Sequence, residues 1–558
     1  MNDPPPATHH SSLITHHSSL ATHHSSLTTH ELILISVLGV TALSAFLFFY
    51  RLCDRDLWSS HEGRAAQDAE TILEDGNWGL PRLFDRKYVD LQKPPLYYWL
   101  VAAVAFIRGR PVDAWAVRLP SALAAAGCVF LLYWFGIHRG RWRAALLAAL
   151  VLATAVHFTW LARIGRIDLP LTLAVSFALI CFYIGWQASK SSILGLTRGA
   201  DATPLAQIYL RPKRAWPWFL AAYLSVALAV LLKGPIGLVL PVAVAAIWLL
   251  TEGELPLPWR IHSWLNLAHR LGLWWGLPLI FVIAGPWFFW AAFQTDGALE
   301  QSLWYHNVVR AVGGTEKMRA RPLLFYIPRL AMDFLPWSVL LPLAIWYVFR
   351  QQGWRKDPEA RFGLVWLISM TAMLSCVGFK RADYLLPAYP GAALFLGCVG
   401  ERWLQAVRYP VRLVGAFGVV VAGCLVGWWA YLVWVLPRDE PEREDRTFAA
   451  VIRHYAPAPD PVIFFRVEAH TLAFHTGRPV DTLLEWENLD FWASQPRAFY
   501  VVMDPDYARE WPDYLRRGTL ELVTSNVELA GGKHEHPLLL YRTRPLVKEL
   551  LHLPSANP

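Results

Sequence analysis

The sequence predicts a polytopic α-helical membrane protein that ends in a small α/β domain. Three observations predict it. Hydrophobic residues fill 55% of the 558 positions and charged residues only 17%, against about a quarter charged in soluble domains. Mean hydropathy is +0.31. Apolar runs near the length of about 20 residues that crosses a bilayer recur from Leu32 to Leu436, and from Arg438 onward the composition is that of a soluble domain. The 29 tryptophans suit the aromatic belts at membrane interfaces.

Residues 1–31 repeat Thr-His-His-Ser-Ser-Leu at Thr8–Leu13, Thr15–Leu20 and Thr22–Leu27. Paired histidines are a metal-binding composition. Nothing there can build a core, so a disordered tail is expected. The stretch lacks the basic start and small-residue cleavage site of a signal peptide. Leu32–Tyr50 reads as the first span, and residues 51–116 as the first external loop with juxtamembrane helices. Within that loop Leu96–Ile107 is apolar but too short to span, so it reads as a juxtamembrane or re-entrant helix. Further runs lie at 117–136, 144–162, 169–188, 216–232, 235–250, 273–292, 323–349, 362–379, 385–399 and 413–436. These give a transmembrane region over 32–436 with about eleven spans. In 437–558, strands are expected at 462–466, 499–503, 520–525 and 538–543. Helices are expected near 445–455, 486–494 and 505–517, which makes an external α/β domain.

The connections fall into two sets. Loops 138–143, 189–215 (with Arg211, Lys213 and Arg214), 251–272, 350–361 and 401–412 are basic and otherwise plain, which the positive-inside rule makes cytoplasmic. Loops 162–168, 232–235, 293–322 and 378–384 share the other face with the opening loop, and each carries glycine and ionisable residues. Arg51 and Arg55 beside the first span argue the reverse orientation, but the later loops outnumber them. The net charge of +8 is scattered through short clusters, which does not suggest nucleic acid. Of six cysteines only Cys53 lies outside the apolar runs, so neither a disulfide framework nor a zinc spacing exists.

The candidate functional residues of the external face are His61, Glu62, Arg64, Lys93, Arg163, Arg166, Asp168, Lys233, Arg310, Lys317, Arg319, Lys380, Arg381, Asp383 and Tyr384. Cations outnumber acids. Such a cluster at a membrane surface suits a lipid-linked phosphate or pyrophosphate leaving group, with a carboxylate or histidine to deprotonate an acceptor hydroxyl. Simpler roles fit some of them singly. Asp168 can cap the helix that begins at Leu169-Pro170. Lys233 can snorkel to the interface, and Arg163 and Arg166 can anchor head groups. Within the apolar runs Arg329 and Asp333 stand apart as a pair one turn from each other. The remaining runs are nearly free of charge, which argues against a lipid or sugar transporter or flippase, the alternative from another class.

Three motifs stand in the opening loop: His61-Glu62-Gly63-Arg64, Gly76-Asn77-Trp78-Gly79-Leu80-Pro81, and Gln92-Lys93-Pro94-Pro95-Leu96-Tyr97-Tyr98-Trp99. They resemble the first external loop of the bacterial lipid-A aminoarabinose transferases and their relatives, the protein O-mannosyltransferases. In that family the motifs read Asp-Glu-x-Arg, Gly-(Asp/Asn)-Trp-x-x-Pro and Glu-Lys-Pro-Pro-Leu-x-Tyr-Trp. The likeness continues at 118–123, 162–172, 231–241, 306–310, 334–342 and 383–390, and covers about residues 32–435. It implies an integral-membrane GT-C glycosyltransferase of the bacterial inner membrane, inverting in type. The sugar would come from a polyprenyl-phosphate carrier and pass to a lipid A-like or other envelope acceptor. A protein O-mannosyltransferase is the neighbouring alternative. By the same resemblance Lys93, Arg310 and Tyr384 would hold the carrier phosphate, with Lys233 and Arg64 nearby and Glu62 and Asp168 as acids. Two positions depart from the pattern. His61 replaces the family's first Asp, so His61 or Glu62 must serve as base. Gln92 replaces a Glu that can help bind a divalent metal in relatives. The resemblance therefore assigns no metal, and His306 is the side chain left that could ligate one. A base at His61 with its ordinary pKa would make transfer fall as pH drops through about 6.5.

Overall fold

The computed structural model describes residues 28–83, 89–197, 215–312, 314–315, 318–351 and 353–546. The His/Ser repeat, Arg211, Lys213, Arg214 and Lys317 lie outside the described residues. Every expected apolar run is helical. Among the described residues, seven helices are long and apolar enough to cross a membrane, and nine if each of two bent pairs is one span. The expected eleven exceed this count by two runs. Ile236–Thr251 has only 16 residues, and Pro358–Ser375 begins with Glu359 and Arg361 inside its first turns. One bent pair breaks by 68° between Thr154 and Val156, the other by 118° between Asp333 and Trp337.

Local chemistry sets the helix ends that matter. The first helix starts at a capping box in which Thr28 and Glu31 satisfy each other's backbone. Asp113 caps the helix Ala114–His138, accepting from the Ala116 nitrogen at 2.8 Å. Leu96–Arg108 starts directly after the rigid Pro94-Pro95 corner and runs 13 residues. That is about 20 Å of helix, against the roughly 30 Å of a hydrocarbon core.

The loops gather at two ends. At one end Arg139 meets Glu359 (2.8 Å), Arg141 meets Asp357 (2.8 Å) and Glu401 (2.7 Å), and Arg402 meets Asp357 (3.1 Å). Lys190 meets Glu252 there too, at 3.0 Å. At the other end Arg166 meets Asp383 (2.6 Å), Lys233 meets Asp168 (2.6 Å), and the Phe379 nitrogen donates to the Arg310 carbonyl (3.0 Å). These are the two groups of loops that the sequence separates.

The C-terminal domain carries a five-stranded mixed sheet: β1 (Val462–Phe465), β2 (Asp481–Leu483), β3 (Tyr500–Met503), β4 (Gly518–Ser525) and β5 (Leu539–Pro545), in the order β2-β1-β3-β5-β4. The β1 strand lies parallel to β2 and β3, and β5 is antiparallel to β3 and β4. Val462 and Phe464 pack on one face with Phe448 and Ile452. Ile463 and Phe465 pack on the other with Trp486 and Leu489. Burial on both faces explains why β1 is an unbroken apolar run rather than an alternating one. The sequence missed β2, whose three residues are too few to show a period of two.

Candidate active site

Residues 60–75 form a helix capped by Ser59, whose hydroxyl accepts from the Glu62 nitrogen at 3.2 Å. Glu62 is wholly buried and lines neither of the two cavities described below. Its Oε1 accepts from Arg118 Nε at 2.6 Å and the Gly165 nitrogen at 2.9 Å; its Oε2 accepts from the Trp58 nitrogen at 3.0 Å. Arg118 in turn donates to the carbonyls of Leu52 and Arg55, and both side chains of the pair are wholly buried. Burial alone would raise the pKa of Glu62, but Arg118 and Arg55 outweigh it and bring the carboxyl down to about 2. The carboxylate therefore braces three chain segments. A Cβ at Gly165 would meet Val117 Cγ1 at 2.3 Å, which is why this contact needs glycine. The reading of Glu62 as a base facing the substrate is corrected on this geometry.

Arg163 is also a brace rather than a head-group anchor. Its guanidinium donates to the carbonyls of Leu47 (2.9 Å) and Tyr50 (2.7 Å), closing the end of the first helix. Lys380 is buried and donates to the Arg321 carbonyl at 3.0 Å. The remaining candidates with described side chains converge.

Two adjoining cavities share a wall. The first, about 160 Å³, is lined mainly by apolar groups including Leu171, Ile236, Leu240, Trp287, Leu299 and Leu303. The second, about 110 Å³, is lined by His61, Arg64, Arg166 and Arg381 among others. Gln92, Lys93, Asp168, Lys233, Arg310 and Tyr384 belong to both. On this wall Asp168 is held by Lys233 on one oxygen (2.6 Å) and Arg166 on the other (3.0 Å), and Lys233 lies 4.6 Å over the Tyr384 ring. Asp168 opens its helix, but its carboxylate is committed to these two cations.

Lys93 and Arg310 differ from their neighbours. Among the described residues neither has a carboxylate partner. Arg310 lies 5.7 Å over Tyr305 and 5.3 Å over Phe379, and its Nε is buried without a hydrogen bond. Burial, then the charges of Lys233 and Arg310, push the Lys93 ammonium down to about 8. Lys93 is aimed by its corner: Asp90 accepts from the Gln92 nitrogen at 2.9 Å and ties Arg64 by both carboxylate oxygens at 3.1 Å. His61 forms no hydrogen bond among the described residues. Burial, then Arg166 and Arg381, lower its pKa to about 3. His306 lines the apolar cavity, and burial followed by Lys93 and Arg310 lowers it to about 4. Among the described residues no three His, Cys, Asp or Glu side chains group as a metal site would. The donors nearest a metal role, Gln92 and His306, stand among cations that repel a divalent ion. They do not fit one.

Sequence reasoning missed Arg118, Asp90 and His157. Arg118 sits in a motif that reads as plain helix, and Asp90 in a loop where nothing marks its partner. His157 lies at the first helix break, its Nε2 3.4 Å from Asp383 and its Nδ1 3.2 Å from the Tyr389 hydroxyl and 3.8 Å from Asp333. The Arg329–Asp333 pair forms at 2.9 Å.

The protein family described as dolichyl-phosphate-mannose-protein mannosyltransferase matches residues 92–200, from the Lys-Pro-Pro corner past Asp168. An undecaprenyl phosphate-alpha-4-amino-4-deoxy-L-arabinose arabinosyl transferase of Pseudomonas paraeruginosa is 27% identical over 410 residues, 72% of this chain and 66% of its own. One from Pseudomonas fluorescens is 26% identical, over 68% of this chain and 60% of its own. The chain thus spans somewhat under two thirds of the length of these curated relatives. The crystal structure of ArnT from Cupriavidus metallidurans bound to undecaprenyl phosphate superposes with a TM-score of 0.70 at 18% identity, covering 91% of this chain and 98% of that one. The chain is similar to the aminoarabinose transferases and has a GT-C fold like that of the Cupriavidus metallidurans structure. The archaeal oligosaccharyltransferase AglB from Archaeoglobus fulgidus is more distant, with a TM-score of 0.54 at 13% identity, over 89% of this chain and 70% of its own. With its apolar helices, the likeness makes this a multi-pass membrane protein.

Proposed function

We propose that this chain is a membrane glycosyltransferase that moves a sugar from a polyprenyl-phosphate carrier to an acceptor at the outer face of the bacterial inner membrane. One observation carries the reading: Lys93 and Arg310, two cations with no carboxylate partner among the described residues, stand on the wall between an apolar and a polar cavity. A polyprenyl phosphate has that division. Its isoprenoid end fits the apolar cavity, its phosphate the wall, and its sugar the polar cavity.

In the reaction the bond between the anomeric carbon and the carrier phosphate oxygen breaks, and its electrons stay on that oxygen. The phosphate goes from one negative charge to two. Lys93 and Arg310 meet this developing charge, so their attraction is strongest where the barrier lies. Asp168, fixed by Lys233 and Arg166, faces the sugar side and orients its hydroxyls. The acceptor oxygen attacks from the opposite face and inverts the anomeric centre.

The base is the weak point of a hydroxyl acceptor. Glu62 is walled off, Asp168 is doubly paired, and His61 with a pKa near 3 is a poor proton acceptor. An acceptor that is already anionic, such as the phosphate of a lipid A-like lipid, needs no base and suits the surplus of cations. This favours a phosphate acceptor over the serine or threonine of a protein O-mannosyltransferase. The His157–Asp333–Asp383 group at the two helix breaks is the feature a transporter would use. Transfer by purified protein in detergent, where no compartments exist, separates the two. Lys93→Ala and Arg310→Ala should each lower transfer about 10- to 150-fold, the worth of one charge-assisted hydrogen bond. Wild-type turnover in both variants removes the wall from the mechanism.

A further inference from the structure

The C-terminal domain rests on the helix Ser60–Asp75 through the short helix His470–Thr476. A Cβ on Gly63 would lie 2.5 Å from the Thr471 nitrogen, so the two backbones touch where no side chain fits. Gln67 Nε2 donates to the His470 carbonyl at 2.7 Å. The segment leading into the same helix is gripped as well. Asp56 lies 2.9 Å from His475 Nε2 and 3.0 Å from Arg446, and Trp58 Nε1 donates to Glu440 at 2.9 Å.

This docking brings one domain side chain to the polar cavity. Arg64, which lines that cavity, places its Nη2 2.9 Å from His470 Nε2, while its Nη1 is tied to Asp90. A guanidinium can only donate, so His470 Nε2 accepts and the imidazole carries its proton on Nδ1. Burial, then the charge of Arg64, hold the His470 pKa near 3, which keeps that acceptor in place at neutral pH. Asp90 and His470 therefore hold the guanidinium at both ends. One holder belongs to the loop of the Lys-Pro-Pro corner, the other to a domain some 400 residues further along the chain.

We propose that His470 is a positioning residue of the active site: through it the C-terminal domain fixes Arg64 toward the phosphate group bound beside Lys93 and Arg310. The domain is then a working wall of the site. This rests on the phosphate reading above.

The test is a titration of the purified full-length protein with undecaprenyl phosphate, comparing wild type with His470→Ala, His470→Gln, Arg64→Ala and the double variant His470→Ala/Arg64→Ala. His470→Ala should weaken binding roughly tenfold, as loss of a hydrogen bond to a charged group does. His470→Gln, which keeps an acceptor oxygen, should recover most of it. In the Arg64→Ala background, His470→Ala should cost nothing further, because the group it positions is gone. Wild-type binding in His470→Ala, or a loss that adds in full to that of Arg64→Ala, overturns the inference. Should the alanine variant unfold, His470→Gln against His470→Leu carries the comparison, and equal affinities of the two overturn it. Lys93→Ala and Arg310→Ala tell which claim failed. If they bind as wild type does, the phosphate reading itself is wrong; if they weaken binding and His470→Ala does not, only the role of His470 is.

Discussion

Lys93 is a half-buried lysine with no carboxylate partner among the described residues, and its lowered pKa gives the site a base limb. Below about 8 the ammonium is charged and attracts the carrier phosphate; above that value it loses its proton and the attraction. Affinity for undecaprenyl phosphate should therefore fall as pH rises through about 8 in wild type. Lys93→Arg, charged throughout this range, should lack that limb. Binding measured from pH 6 to 9.5 checks this, and an identical limb in both proteins contradicts it. His61 carries the opposite lesson. Its position suggested a base titrating near 6.5, but burial and the cations Arg166 and Arg381 keep it neutral down to about 3. The pH profile between 5 and 7 should be the same in wild type and in His61→Ala, and His61→Ala should retain most activity. A steep acid limb near 6.5 that vanishes in His61→Ala would return the base role to His61. That Lys93, Lys233, Arg310 and Tyr384 share one cavity wall was legible, because motif and loop side both pointed to them. That Glu62 is a brace was not legible, since its partners Arg118 and Gly165 lie 56 and 103 residues away.

The helix Ser60–Asp75 is held by a buried ion pair instead of by apolar packing alone. Removing one member of such a pair leaves a stranded charge, at a cost of about 3–5 kcal/mol. Glu62→Gln and Arg118→Leu should thus lower the unfolding temperature sharply. His61→Ala, from the adjacent position, should not. A normal unfolding temperature with lost transfer in Glu62→Gln would restore a chemical role to that carboxylate. At this scale the apolar runs located the long apolar helices among the described residues, because about twenty apolar residues in a row have few other uses, but not Ser60–Asp75 or Ile261–Leu271. One break was hidden: Thr154-Ala155-Val156 contains neither proline nor glycine, so nothing local announces a 68° turn, whereas the 118° break carries Pro336. The strand β2 escaped for want of length, and the docking of His470 because contact between distant elements leaves no periodicity.

Across the whole molecule, opposite ends do different work. The ion pairs among Arg139, Arg141, Asp357, Glu359, Glu401 and Arg402 close one end, while the other end holds the cavities and the C-terminal domain. A topology reporter after Arg141 should read cytoplasmic, and reporters after Asp168 and Arg438 extracytoplasmic. Finding Arg141 and Asp168 on one side would mean that the bent pair Trp142–Ala162 does not cross. The central claim is sugar transfer driven by phosphate at the shared wall. Its most direct test is a reaction of purified protein with a synthetic polyprenyl-phosphate sugar and a lipid A-like phosphate acceptor, followed by mass spectrometry for released polyprenyl phosphate and glycosylated acceptor. Wild type should yield both products in equal amount, and folded Lys93→Ala about 10- to 150-fold less of each. Equal yields from wild type and Lys93→Ala would contradict the account.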